Sequence, residues 1–127
     1  MKKIVVSLVF CVNLLFSTEF YSYKEAIEIQ KINSKIIMID VVRDNCRYCV
    51  LMDKLFEDKE FSTWITERFI PVKIDIKHAK TTLKIDVKMT PTFYFLDKNQ
   101  KIIKMIPGSW SKEDFIDLSK NIKGELQ

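Results

Sequence analysis

Residues 36–56 read IIMIDVVRDNCRYCVLMDKLF, and the fold turns on this stretch. Ile36 to Val42 is almost continuously apolar and rich in β-branched side chains. That pattern predicts a parallel strand covered on both faces. Arg43 to Asn45 forms a short connection. Cys46 to Glu57 then predicts a helix, because Cys49, Met52, Leu55 and Phe56 recur at three- and four-residue spacing. Two thiols therefore stand at i and i+3 on the first turn of a helix that leaves a buried strand. Free N–H groups and the helix dipole favour an anion at that place. They lower a thiol pKa from about 8.5 toward or below 7. Cys46 is the candidate nucleophile, and Arg47 adds positive charge beside it. Cys49 lies one turn in, on the apolar face, and is the candidate resolving thiol. The chemistry is attack by Cys46 on a substrate disulfide, a mixed disulfide, and its resolution by Cys49.

Asp40 interrupts the strand six residues before Cys46. A buried, unpaired carboxylate costs several kcal/mol or takes a proton and stays neutral. Such a group has a raised pKa and can carry a proton to and from Cys49. The other reading is an exposed strand end.

Working outward, Glu19 to Ser22 is a short edge strand or a disordered arm. Tyr23 to Asn33 is an amphipathic helix, with Ala26, Ile27 and Ile29 on its apolar face and Gln30 among its wet residues. A second helical stretch after Asp58-Lys59 carries Phe61, Trp64, Ile65 and Phe69 on one face. Ile70 to Ile76 alternates as a strand, and His78 to Ile85 holds one or two helical turns. Thr92 to Leu96 is a strand, Asp97 to Gln100 a turn, and Lys101 to Ile106 the hairpin partner, stopped by Pro107-Gly108. Ser111 caps a last helix to Ile122, with Asp114 at its third position. This order predicts an α/β fold, a mixed central sheet with helices on both faces.

Met89-Thr90-Pro91-Thr92 precedes the aromatic strand. Proline is the usual holder of a cis peptide. A cis bond here would leave the Thr90 N–H and C=O to pair with an extended substrate. Tyr48, between the cysteines, is expected to be exposed and to touch substrate. Trp110 is a candidate rim residue, with plain packing as the alternative. Trp64 reads as core and His78 as a solvated loop residue.

The whole chain has 127 residues and a formal charge of +4, from 21 basic and 17 acidic residues. This suggests one domain and argues against nucleic acid as a partner. Three cysteines make no disulfide-stapled scaffold, and a single histidine makes a Cys-His or Ser-His-Asp site a poor expectation. Met1-Lys2-Lys3 followed by the apolar run Ile4 to Phe16 reads as a secretory signal peptide over residues 1–17. The run is short of the ~20 residues a membrane span needs, and an uncleaved anchor is the alternative. Phe10 before Cys11 argues against lipoprotein processing. Removal of Lys2, Lys3 and Cys11 leaves residues 18–127 with 19 basic and 17 acidic residues, a charge of +2, and only Cys46 and Cys49. A periplasmic location is expected.

Other uses of the pair fit less well. Haem attachment needs histidine at the position of Val50, and structural zinc needs four ligands. A four-residue disulfide loop gains little as an inert staple. Copper carriage with Met52 or Met89 stays open. No cofactor and no resident metal are expected.

Together, the strand ending in Asp40, the CRYC helix start, the VKID strand, the TPT turn before FYFLD, and Pro107-Gly108 after the hairpin resemble the thioredoxin superfamily. The match covers about Tyr23 to Lys123. FLDKNQKIIKMIPG is similar to the secreted bacterial branch, the SoxW type and the C-terminal domain of the transmembrane thiol-disulfide interchange protein. The resemblance implies Cys46 as nucleophile, Cys49 as resolving thiol and Asp40 as the buried acid. It implies Pro91 as the cis-proline after Thr90, and Gly108 as the glycine that admits substrate backbone. It further implies a monomeric reductant of exported proteins, apocytochrome c among them, supplied with electrons by a membrane partner. An oxidase or isomerase of the same fold, or a non-enzymatic copper or interaction module, are the alternatives. Three positions depart from the family. Asn45 replaces its tryptophan, Arg47-Tyr48 replaces Gly-Pro, and Pro71 stands near the place of its lysine, with Lys73 two residues on.

Overall fold

The computed structural model describes residues 17–124. The leader-like segment and Cys11 lie outside the described residues. Among the described residues no helix is long and apolar enough to cross a membrane.

Helix α1 spans Tyr23–Asn33. It starts in a capping box, with Ser22 Oγ accepting from Glu25 N–H and the Glu25 carboxylate accepting from Ser22 N–H. It stops at Ser34, whose φ of 59° breaks the helical path. Strand β1, Ile36–Val42, follows. Helices α2, Arg47–Phe56, and α3, Lys59–Arg68, are separated by Asp58, which caps α3 by accepting from Phe61 N–H. Strand β2, Phe69–Asp75, runs into α4, Ile76–Thr82, with the Asp75 carboxylate capping it. Ile76 therefore begins a helix rather than ending a strand. Strands β3, Thr92–Leu96, and β4, Ile102–Pro107, form the hairpin, and α5, Lys112–Ser119, closes the chain behind the Ser111 cap.

The sheet order is β2-β1-β3-β4. β1 and β2 are parallel, while β1–β3 and β3–β4 are antiparallel. The mixed sheet is the one expected from the element order. The apolar residues of β1 explain its central place: Ile37, Met38, Ile39 and Val41 are fully buried. Alternate residues feed two cores. On one face Met52, Phe56, Phe61, Phe93 and Phe115 pack together, with Phe93 and Phe115 edge-on at 4.9 Å. On the other, Ile37, Ile39, Val41 and Tyr94 pack under Ala26 of α1 and Ala79 of α4.

Two local expectations change. Residues 19–22 form an ordered arm with a single bridge, Tyr21 to Val72, rather than a strand or a disordered segment. The arm is fixed at Thr18, whose N–H donates to Phe56 O at 3.0 Å and whose hydroxyl shares a 2.8 Å hydrogen bond with Ser62. Gln30, read as wet, is buried. Its Nε2 donates to Lys35 O and Asp97 O, and its Oε1 accepts from Gln100 Nε2. These bonds tie α1 to the far end of the hairpin.

Candidate active site

The site forms where β1 hands the chain to α2. Asn45 takes a φ of 55°, the left-handed region that asparagine tolerates better than most residues. This turn sets Cys46 at the N-cap of α2 rather than inside the helix. Its Sγ accepts a hydrogen bond from Cys49 N–H at 3.1 Å, the place usually taken by a serine or aspartate oxygen. Cys46 and Cys49 are joined in a disulfide, with a Cα–Cα distance of 5.2 Å. Both are buried, and Cys46 is 7% exposed.

The loop before β3 comes up against Cys46. The Thr90–Pro91 peptide is cis. Buried Thr90 donates from Oγ1 to Cys46 Sγ at 3.3 Å, and its carbonyl oxygen lies 3.6 Å from the same sulfur. That carbonyl therefore faces the sulfur itself. Gly108 N–H donates to Pro91 O at 2.8 Å, locking the β4 exit to this loop. Gly108 has a φ of +92°, so backbone conformation explains the glycine. A Cβ there would meet Met89 and Trp110 only at ordinary contact distances of 3.7 and 3.8 Å. Trp110 is pinned by two bonds, from its N–H to Met52 Sδ and from its indole N–H to Pro107 O. Its ring stays 37% exposed, and Met89 and Tyr48 are exposed as well. Arg47 lies on the exposed surface of the first turn. The structure thus links Cys46, Cys49, Thr90, Pro91 and Gly108 by direct contacts, and ties Trp110 to Met52 and Pro107 beside them. Met52 Sδ, a possible copper ligand from sequence, is buried and engaged by Trp110. Among the described residues no three His, Cys, Asp or Glu side chains cluster as a metal site.

Asp40 is fully buried, so the exposed strand end is ruled out. Neither carboxylate oxygen has a hydrogen-bond partner among the described residues. Burial pushes its pKa from 3.8 up to about 7; Lys73 opposes the rise and Asp53 adds to it. Register decides which β2 residue stands beside Asp40. Lys73, not residue 71, is the β2 partner of Asp40. Its Nζ, however, donates to Asp53 Oδ1 at 2.6 Å. Sequence reading missed Asp53, although its position four residues after Cys49 on a helix was a usable signal.

The chain matches the family profile of the thioredoxin-like domain over residues 23–123. It belongs to that family. No curated protein matches it in sequence. Among solved structures, the DsbH oxidoreductase shares 19% identity over 82% of this chain and 83% of that one, with a TM-score of 0.66. A thioredoxin from Thermus thermophilus shares 20% over 82% and 85%, with a TM-score of 0.68. The C-terminal domain of Neisseria meningitidis DsbD, in its oxidised form, shares 16% over 80% and 97%, with a TM-score of 0.60. At these identities the likeness is one of fold.

A cavity of about 600 Å³ lies at the other end of the sheet, lined by Ser34, Lys35, Arg68, Asp97 and Lys120 among others. Helices α1, α3 and α5 all end there. Its cations serve those ends, Lys35 Nζ donating to Thr66 O and Arg68 to Trp64 O. It is a structural feature, remote from the thiols.

Proposed function

We propose that this thioredoxin-like protein is a thiol-disulfide oxidoreductase working outside the cytoplasm, as a reductant of exported proteins. The observation that carries the reading is the placement of Cys46. Its sulfur receives the Cys49 N–H and the Thr90 hydroxyl, and bonds to Cys49. In the dithiol state the same donors favour negative charge on Cys46. The Cys46 thiolate attacks one sulfur of a client disulfide. A mixed disulfide forms and the first client thiolate leaves. Cys49 gives up its proton and attacks Cys46 Sγ, releasing the second client thiolate and restoring the disulfide. Tyr48, Met89 and Trp110 offer exposed apolar surface for a client chain around the thiols. Thr90, Pro91 and Gly108 shape the groove, and Arg47 sits at its positive edge.

The location rests on the basic start and apolar run before Ser17, and periplasmic delivery is the reading it supports. A reductant there must be recharged, and a membrane thiol-disulfide carrier is the proposed donor. On this reading the protein works in the manner of the SoxW type and the C-terminal domain of the interchange protein. One observation favours the opposite direction: Arg47 and the helix start both stabilise the thiolate, which makes a couple more oxidising.

Trapping the thiols in growing cells with an alkylating reagent decides the direction. A reductant is found mainly as the dithiol, and a mainly disulfide population overturns the reductant reading. Cys49→Ser should accumulate mixed disulfides through Cys46. If no client is captured, the assigned roles of the two thiols are wrong.

A further inference from the structure

Asp40 must exchange protons with water if it serves Cys49, yet it is fully buried. The charges that act on it, Lys73 and Asp53, lie outside the exchange motif. Lys73 is its register partner on β2, so both side chains leave the sheet on the same face. Asp53 stands on α2, one turn beyond Cys49. The Lys73–Asp53 pair is 2.6 Å long and partly exposed, 33% and 42% for the two side chains. Phe20, from the N-terminal arm, lays its ring 4.4 Å from Lys73 Nζ and stacks edge-on against Phe56 at 5.1 Å. Three segments therefore hold one partly exposed ammonium group on the face of the sheet that Asp40 shares. Asp53 takes its hydrogen bond, and Asp40 is left with no partner among the described residues.

We propose that Asp53 is a positioning residue that holds Lys73 as the solvent port of Asp40 during disulfide exchange. The proposal rests on the exchange reading above. In the resolving step the Cys49 thiol passes its proton to the Asp40 carboxylate. The Cys49 thiolate bonds to Cys46 Sγ while the Cys46–client bond breaks, and the client sulfur leaves with that electron pair and takes a proton from water. Asp40 then returns its own proton to water beside the Lys73–Asp53 pair. The two protein thiols end as one disulfide, and the client disulfide ends as two thiols.

The charged groups facing Asp40 are Lys73 from β2 and Asp53 from α2, and they act with opposite signs. Asp53→Asn removes a carboxylate and frees the ammonium for Asp40. Lys73→Gln removes the ammonium. The Asp40 carboxyl, followed by infrared difference spectroscopy on the oxidised full chain, should titrate lower in Asp53→Asn and higher in Lys73→Gln, by roughly half a unit or more each. Asp53→Glu should restore the original midpoint. The pH profile of mixed-disulfide resolution should move in the same two directions. Midpoints that stay put, or move together, overturn the assignment of Asp53. Opposite midpoint shifts in a protein that exchanges no disulfides leave Asp53 as the residue that positions Lys73 and overturn the function instead.

Discussion

Gln30 and Asp40 are both buried polar side chains on the same framework, and they are treated in opposite ways. Gln30 is 3% exposed and uses its amide fully, giving two hydrogen bonds and taking one, at 2.9 to 3.0 Å. Its partners come from the end of α1, the end of β3 and the hairpin turn. Asp40 is 0% exposed, and neither of its oxygens has a partner among the described residues. A satisfied buried group joins elements at little net cost, whereas an unsatisfied carboxyl must either shed its charge or destabilise the fold. The far end of the sheet is built as a joint. The thiol end keeps a group whose charge state can change.

The largest expected effect falls on the thiol end alone. Cys46→Ser should lower the rate of insulin disulfide reduction by at least about 1,000-fold, because a serine hydroxyl forms no disulfide with a client. Gln30→Leu should leave that rate, measured on folded protein, nearly unchanged. A Cys46→Ser protein that still reduces insulin would remove the chemical reason for the difference between the two ends.

Next comes the cost held at Asp40. Its pKa rises from an unfolded value of 3.8 to about 7 in the fold. The native state therefore binds more protons between those values, and stability must fall as pH rises through that window. The full difference is on the order of 4 kcal/mol, reached above the folded pKa. Urea unfolding of the oxidised protein at pH 4, 6 and 8 should show this decline, and Asp40→Ala should abolish it and be the more stable protein at pH 8. Equal pH dependence in both proteins would mean that Asp40 carries no such cost.

Gln30→Leu supplies the contrast. It removes the donor to Lys35 O, while Asp97 O keeps the Gln100 N–H and Gln100 Nε2 keeps Lys98 O, and should cost about 1–3 kcal/mol. That loss should be the same at pH 4 and pH 8, since none of these groups titrates. A pH-dependent loss would show that the two ends are coupled.

The two ends also differ in how far sequence reveals them. At the thiol end the informative residues announce themselves locally. Cys46 and Cys49 fall on one helix turn, Asp40 breaks an apolar run, and Pro91 and Gly108 punctuate strands. Gln30 gives no such signal, because helical periodicity sorts residues by polarity and its partners Asp97 and Gln100 lie 67 and 70 positions away. Lys73 is hidden for a related reason. Which β2 residue faces Asp40 depends on parallel register, fixed by the packing of a whole strand pair. The family resemblance put Pro71 near the lysine's place, and the register put Lys73 there. The N-terminal arm reads as an edge strand or a disordered segment, and its anchoring through Thr18 and Ser62 is not legible, since those partners lie 44 positions apart.

The smallest effect tests whether the groove belongs to the changeable end or the rigid one. Gly108 sits at a φ of +92°, where a Cβ meets its own backbone, while neighbouring atoms stand no closer than 3.7 Å. Gly108→Ala should therefore cost about 1–2 kcal/mol from backbone strain alone, without a clash. Because Gly108 N–H holds Pro91 O at 2.8 Å, the strain is delivered to the loop that carries Thr90 against Cys46. Reduction of a protein client, which lies along that loop in the proposed function, should slow more than reduction of a small aromatic disulfide, which needs only the sulfur. Equal slowing of both would mean that Gly108 supports the thiols and not the client path, and the groove would then belong with the rigid end of the molecule.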